Sequence, residues 1–317
     1  MSENAIVIEN LVKRYRMHFW QKPFPALKGV SFKVPKHEVT GLIGPNGAGK
    51  TTAIKSMLNF VIPTSGKIMV FDRPSSDQSI RKTIGYLPEQ TYYYEYLKAD
   101  EILHFYGRFF SLRYQERKKR VDQLIDMVGL GPKKQLRLRN YSKGMLQRLG
   151  IAQALINDPD LVIFDEPMSG LDPLGRKDVK DIILRLKHEK KTILFSSHIL
   201  SDVELLCDRV VMLKDGELYA DGEVADLIRP EVSHKELVFK AWDQNITLPE
   251  AWQKHAKLRK VGNRNILEFA EQEEFTQEIV FKWVEECDHR VISFQNHRMH
   301  LEDLLYQKQD QKGNVST

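Results

Sequence analysis

Apolar residues along this chain recur with two periods, and the switches between them lay out its elements. Ile6-Val7-Ile8 leads into Leu11 and Val12, and Leu27–Val34 alternates before the Pro35 turn. Residues 5–43 therefore read as strands, the last of them the apolar run Val39–Ile43. Lys50–Phe60 changes to a helical pattern that stops before Pro63. Ser65-Gly66 turns the chain into a strand at Lys67–Phe71, and Thr83–Leu87 is a further buried strand ending at Pro88-Glu89-Gln90. The aromatic loop Tyr92-Tyr93-Tyr94-Glu95-Tyr96 then opens a long helical stretch. Ile102, Phe105, Tyr106 and Phe109 mark one apolar face at i, i+3, i+4, i+7, and Val121, Leu124, Ile125 and Val128 mark another, closed by Gly129. This stretch interrupts the strand–helix alternation, which predicts a helical subdomain over about residues 91–150.

Tyr141–Arg148 opens another helix, with Ser142 suited to cap it and Met145, Leu149, Ala152 and Ile156 as its buried stripe. Asn157-Asp158-Pro159 ends it. Leu161–Phe164 is a short apolar strand followed at once by Asp165-Glu166. Ser169-Gly170-Leu171-Asp172 is a turn before a helix over 173–189, and Thr192–Phe195 is a buried strand ending in Ser196-Ser197-His198. Val210–Leu213 and Glu217–Ala220 form a hairpin about Asp215-Gly216. A second region starts near Ser233. Its expected elements are a strand (Glu236–Trp242), a helix (Leu248–His255), two strands about Gly262-Asn263 (Lys257–Val261, Asn265–Phe269), a helix (Glu274–Glu286), a strand (Arg290–Phe294) and a closing helix (Leu301–Tyr306). That order predicts a small α+β ferredoxin-like domain over 233–306. Residues 307–317 are polar and read as a disordered tail.

Composition bounds this picture. The chain has 317 residues, 42% hydrophobic and 29% charged, with no apolar run long enough to span a bilayer and no signal-peptide pattern at Met1-Ser2-Glu3-Asn4. Cys207 and Cys287 show no metal-ligand spacing and read as two free, buried thiols of a cytosolic protein. The net charge of +5 is concentrated: Arg108–Lys143 alone carries +8. A solvated helix face and a surface for anionic lipid headgroups or an acidic partner are both open readings of it. No aromatic-interleaved nucleic-acid motif accompanies the charge, so nucleic acid is not expected as a partner.

The chemistry is concentrated in Gly44-Pro45-Asn46-Gly47-Ala48-Gly49-Lys50-Thr51-Thr52, which fits G-x-x-x-x-G-K-[ST] between a strand and a helix. Gly44, Gly47 and Gly49 allow a tight turn whose N–H groups aim inward as an anion nest. Lys50 brings a mobile positive charge to the β- and γ-phosphates, Thr51 places a hydroxyl at a Mg²⁺ site, and the helix N-terminus adds its dipole. Asp165, delivered to the carboxyl edge of a central strand, can complete the metal shell, and Glu166 can orient or deprotonate a water. His198 ends a strand at the same edge and suits a γ-phosphate contact. Tyr15, in an early connection, is a candidate stacking platform for adenine. His297 and His300 read as surface residues, and residues 16–26 form a loop with His18, Phe19 and Trp20 that the sequence does not explain.

Tyr15, the Gly44–Thr52 loop, Tyr141–Arg148, Asp165-Glu166, Ser169–Asp172 and His198 follow one another in an order that resembles the ATP-binding subunit of ABC transporters. The resemblance covers about residues 5–225 and implies a P-loop α/β core, with an antiparallel β-subdomain and the helical subdomain, over residues 1–230. It implies that Tyr15 stacks on adenine, that Lys50, Thr51 and Thr52 hold phosphates and Mg²⁺, and that Glu166 is the general base. Asp165 would complete the metal shell and His198 would sense the γ-phosphate. Ser142 and Gly144 would belong to the signature that closes on ATP held by a second subunit, with Asp172 at the same interface. One copy of each motif then implies a dimer, of two copies or with a paralogous ATPase. The family's signature Leu-Ser-Gly-Gly-Gln is altered here by Lys143 and Met145. Its glutamine after Tyr86-Leu87-Pro88 appears as Glu89, at the nucleotide and the metal, with Gln90 as the alternative one residue on. Tyr-Leu-Pro-Glu and the C-terminal region resemble the branch with separate six-helix permeases, mostly exporters. The implied protein is an ATPase at the cytoplasmic face of the membrane, powering a separate permease. A soluble ABC-type ATPase acting on nucleic acid or translation, and a non-hydrolysing regulator, are the alternatives. The first would be expected to carry tandem nucleotide domains or a long coiled-coil insertion between Lys50 and Asp165, and neither is in this sequence; Glu166 with His198 argues against the second.

Overall fold

The computed structural model describes residues 3–16, 20, 22–227, 232–240, 248–252, 255–262, 264–269, 276–287 and 289–298. The chain divides into two compact units, Met1–Val224 and Ala225–Thr317. The first unit begins with β1 (Asn4–Tyr15), β2 (Phe24–Pro35), β3 (Val39–Ile43), α1 (Lys50–Met57), β4 (Ser65–Val70), β5 (Arg73–Pro74) and β6 (Ile84–Leu87). The helices α2 (Ala99–Phe109), α3 (Tyr114–Met127) and α4 (Lys143–Ala154) follow. It continues with β7 (Leu161–Phe164), α5 (Pro173–His188), β8 (Thr192–Ser197), α6 (Leu200–Leu206), β9 (Arg209–Lys214) and β10 (Glu217–Glu223). A short α7 (Val224–Leu227) comes next.

Two sheets share the core of this unit. The first is antiparallel, in the order β2-β1-β4-β5. The second runs β10-β9-β3-β8-β7-β6 and is parallel except for β10. Every residue of β3, β7 and β8 is buried, which is why these strands read as unbroken apolar runs. Ile6 and Phe32 of the first sheet meet Leu42, Ile163 and Leu194 of the second, with Ile54 and Met57 of α1 in the same cluster. Burial of each such side chain contributes about 1.5–3 kcal/mol. In the parallel register Ile43 lies opposite Ser197, and Phe164 opposite Phe195, so β3, β7 and β8 end together at one carboxyl edge. The expected hairpin joins β9 to β10. Asp215 and Gly216, at φ 52° and 77°, supply the two left-handed residues of its turn.

The helical stretch departs from the expected pattern in one place. The α2 residues buried are Ala99, Ile102, Leu103 and Gly107, whereas Phe105 is 45% and Phe109 68% exposed. The buried stripe is rotated relative to the bulkiest apolar positions because close packing is set at a small residue. A Cβ on Gly107 would lie 2.8 Å from the Arg117 side chain of α3 and 3.5 Å from Ile156. Val121, Leu124, Ile125 and Val128 are buried as expected. On α4, Leu149 and Ala152 are core residues, Ile156 is buried just beyond the helix end, and Met145 is only half-buried. Cys207 is buried, but Cys287, expected to be so, is exposed.

The second unit contains β11 (Val232–Lys240), β12 (Ala256–Val261), β13 (Arg264–Phe269), α8 (Gln277–Glu286) and β14 (Arg290–Arg298). Its sheet order, β12-β13-β11-β14, and antiparallel pairings are those of the ferredoxin-like arrangement. Leu237, Phe239, Leu267 and Phe269 pack with Val280 and Val284 of α8. Where a helix over Leu248–His255 was expected, the described residues hold one 3-10 turn, Glu250–Trp252. His18, Phe19, Asn263, His300, the closing helix at Leu301–Tyr306 and the 307–317 tail lie outside the described residues. No helix among the described residues is long and apolar enough to cross a membrane.

Candidate functional site

The loop leaving β3 needs its glycines for two different reasons. Gly44 sits at φ 152°, and a Cβ there would run into the backbone carbonyl of Leu213 on the neighbouring strand. Gly49 sits at φ 104°, where a Cβ would lie 2.7 Å from the Leu27 side chain and 2.8 Å from the Ala26 carbonyl. The backbone therefore turns where β2, β3 and β9 crowd it, and enters α1 through Gly49 without a side-chain cap. The first N–H groups of α1 are left for an anion. Lys50, 6% exposed, donates to the carbonyls of Gly44 (2.7 Å) and Pro45 (3.3 Å) and lies 3.3 Å from Glu166 Oε1.

Both acids after β7 are buried, Asp165 at 1% and Glu166 at 9% exposure. One hydroxyl organises them. Ser196 Oγ, itself fully buried, donates to Asp165 Oδ1 at 2.7 Å and accepts from the Glu166 backbone N–H at 2.8 Å. Thr51 Oγ1 approaches the same Asp165 oxygen at 3.3 Å. Burial pushes the Asp165 carboxyl above its usual range, opposed by the Ser196 and Thr51 hydrogen bonds and reinforced by the charges of Glu89 and Glu166. Glu166 occupies a left-handed backbone conformation at φ 50°, uncommon for a residue other than glycine. Its Oε2 lies 2.9 Å from His198 Nδ1, so Lys50 and His198 hold the two oxygens of one carboxylate.

A cavity of about 470 Å³ opens over this cluster. Of the residues singled out from sequence, Tyr15, Asn46, Gly47, Ala48, Gly49, Lys50, Thr51, Thr52, Glu89, Glu166 and His198 line it. Gly44 and Pro45 serve it through the carbonyls that hold Lys50, and Asp165 lies beneath it against Thr51. Glu89, not Gln90, faces this cavity; Gln90 lines a neighbouring one of about 250 Å³ with Lys143. Ser142, Gly144 and Asp172 are not among its lining residues. Ser142 caps α4 by accepting from the Met145 N–H (3.2 Å), and Asp172 caps α5 by accepting from the Gly175 N–H (2.9 Å). Phe24, Ala26 and Ser169 line the cavity and Ser196 organises the acids beneath it, none of them among the expected site residues. Phe24 lines the cavity from β2, directly across from Tyr15 in the strand register. Ser196 closes the apolar strand β8, and only the pairing of β7 with β8 brings it to the two acids.

A strand-to-helix phosphate loop joined to two buried acids and a histidine across three parallel strands is a nucleotide-hydrolysing arrangement. Residues 27–169 match the ABC transporter family. An uncharacterized ABC transporter ATP-binding protein of Synechocystis is 46% identical over 244 residues, covering 76% of this chain and 69% of the relative. This chain belongs to the ABC transporter family. It is an ATP-binding subunit of such a transporter, an ATPase whose hydrolysis is coupled to transport. The ABC transporter ATP-binding protein NatA of Bacillus subtilis is 39% identical over 216 residues, covering 67% of this chain and 88% of NatA. A dimeric ATP-binding cassette in a post-hydrolysis state, with ADP and Pi bound, superposes with a TM-score of 0.63. It is 25% identical and covers 69% of this chain and 98% of its own. CbiO1 of Clostridium perfringens, part of the ABC transporter complex CbiONQ, superposes at 0.62 with 27% identity, over 71% of this chain and 91% of that one. The family match begins after Tyr15 and ends before His198, and the cavity brings both of these residues to the matched phosphate loop.

Proposed function

We propose that Glu166 is the general base of ATP hydrolysis and that the subunit works as a Mg²⁺-dependent dimer on a separate membrane permease. The single observation supporting the reading is the one cavity shared by Tyr15, the 46–52 loop, Glu89, Glu166 and His198. Tyr15 offers its ring to adenine and the 46–52 N–H groups take the phosphates. Lys50 exchanges the Gly44 and Pro45 carbonyls for phosphate oxygens. That exchange also loosens the Lys50–Glu166 pair, which leaves the Glu166 carboxylate freer to take a proton from the attacking water while His198 holds its other oxygen. The hydroxyl of Thr51 and the carboxylate of Asp165, 3.3 Å apart and joined by Glu89 at the cavity wall, are the hard oxygen donors a Mg²⁺ ion prefers. Mg²⁺ held there would neutralise phosphate charge.

Ser142, Gly144 and Asp172 stand outside the cavity of their own chain, which suits contacts to ATP held by a second copy or a paralogous ATPase. Tyr92, Tyr94, Tyr96, Phe105 and Phe109 are exposed around the start of the helical subdomain and suit a permease contact. Arg108, Arg113, Lys118 and Lys119 remain exposed nearby, as a surface facing anionic lipid at the cytoplasmic side would require. By resemblance the transporter is of the exporter branch, residues 1–230 are its ATPase domain and residues 233–306 an accessory domain. The test is Glu166→Gln. ATP binding is expected to persist, turnover to fall by about 10²–10⁴-fold, and an ATP-bound dimer to accumulate on gel filtration. Turnover that persists in Glu166→Gln removes the base assignment, and normal turnover in Lys50→Ala overturns the whole site.

A further inference from the structure

One buried carboxylate, that of Asp202, has no part in the hydrolytic roles assigned above. Asp202, in the first turn of α6, is 1% exposed. Its Oδ2 lies 2.6 Å from Arg176 Nη2 and its Oδ1 2.6 Å from Lys180 Nζ. Arg176 and Lys180 are one turn apart on α5, so both cations grip a single acid from one face of one helix. A carboxylate this buried is tolerated because each oxygen meets its own cation. Removing it would leave two cations facing each other.

Each of the two helices so joined begins just after a segment that lines the cavity. The Arg176 N–H donates to the Asp172 carbonyl at 2.9 Å, and the Asp172 carboxylate accepts from Gly175 N–H, so the first turn of α5 joins Arg176 to the 169–172 turn. Ser169 of that turn lines the cavity. At the other end, α6 begins two residues after His198, which also lines the cavity and holds Glu166. Helix α6 has seven residues and no side-chain cap at its start, so it has little stiffness of its own. Its seat comes from Leu200, Val203 and Leu206 on the core side and from Asp202.

We propose that Asp202 is a positioning residue that locks His198 to the 169–172 turn, so that the two move as one body against the nucleotide. This rests on the reading of the cavity as the ATP site. A shift of the turn, as when a second subunit closes on it, would pass along the first turn of α5 through Arg176 to Asp202. From there it would reach the imidazole that holds Glu166.

The test is a double-mutant cycle in the full chain. Asp202→Asn is expected to lower kcat about tenfold at saturating ATP with KM changed less than about twofold, and to cause no further loss of kcat in a His198→Ala background. Asp202→Glu, which keeps the charge, should restore part of the rate. The same proportional loss in both backgrounds, or no loss in the first, overturns the proposal. Arg176→Met and Lys180→Met touch side chains that are 30% and 24% exposed and serve for the same cycle should Asp202→Asn not fold. The second readout is the His198 ring signal in NMR of the nucleotide-free protein, which Asp202→Asn should shift. If wild-type protein shows no ATP turnover, the functional reading fails by itself, and an unmoved His198 signal then decides against the clamp independently.

Discussion

Ser196→Ala removes one oxygen atom and two hydrogen bonds from the centre of the site. The hydroxyl is fully buried, donates to Asp165 at 2.7 Å and accepts from the Glu166 N–H at 2.8 Å. Without it, the Glu166 N–H is left in the interior with no acceptor from Ser196, a loss of about 1–3 kcal/mol. The bond to Asp165 is charge-assisted and would by itself count for about 1.5–3 kcal/mol, but Thr51 retains a contact to the same oxygen, so the two losses do not simply add. About 3 kcal/mol is the working figure. For a unit the size of residues 1–224 that corresponds to a fall in Tm of roughly 6–12 °C. If half of it is felt at the reacting groups, kcat falls about tenfold. The sign of the pH effect follows from the same contacts. Burial already holds the Asp165 carboxyl above its usual range and the Ser196 bond pulls it down, so its removal moves that carboxyl further up. The acid limb of the rate profile should therefore shift to higher pH. Calorimetry of the variant and steady-state turnover between pH 5 and 8 would measure both effects. A melting temperature within about 1 °C of wild type, together with an unshifted profile, would refute the role given to this hydroxyl.

Two further outcomes test other parts of the structure. Gly44→Ala must place a Cβ against the Leu213 carbonyl at a φ of 152°, so it should cost at least about 3 kcal/mol and abolish ATP binding by calorimetric titration; wild-type affinity would mean the loop turns differently. In the helical subdomain, Lys134 lies 2.6 Å from Asp122, and that hydrogen bond holds the Asp122 carboxyl below its usual range. A lowered carboxylate contributes stability that is complete above the unfolded value of about 3.9 and is lost as pH falls through the folded one. Lys134→Met should therefore lower Tm slightly at pH 7 and progressively less as pH falls below about 4, whereas a constant deficit across that range would exclude the linkage.

The sequence by itself determined the parts whose physics is local. A phosphate loop demands glycines at set spacings whatever surrounds it, and the unbroken apolar runs of β3, β7 and β8 announce strands buried on both faces. From those runs followed the alignment of Lys50, Asp165 and His198 at one edge, because parallel neighbours in register must end together. Periodicity was less reliable where packing distance chose the face. On α2 it pointed to Phe105 and Phe109, but the close approach at Gly107 turned both rings outward and left an aromatic surface that helical spacing alone reads as core. Only the tertiary structure decided the contacts between residues distant along the chain. Ser196 reaches both acids, Phe24 stands across from Tyr15, Glu89 rather than Gln90 enters the cavity, and Asp202 meets Arg176 and Lys180. None of these has a local signature, since a hydroxyl or carboxylate acquires its meaning only from the groups that burial forces within hydrogen-bond reach.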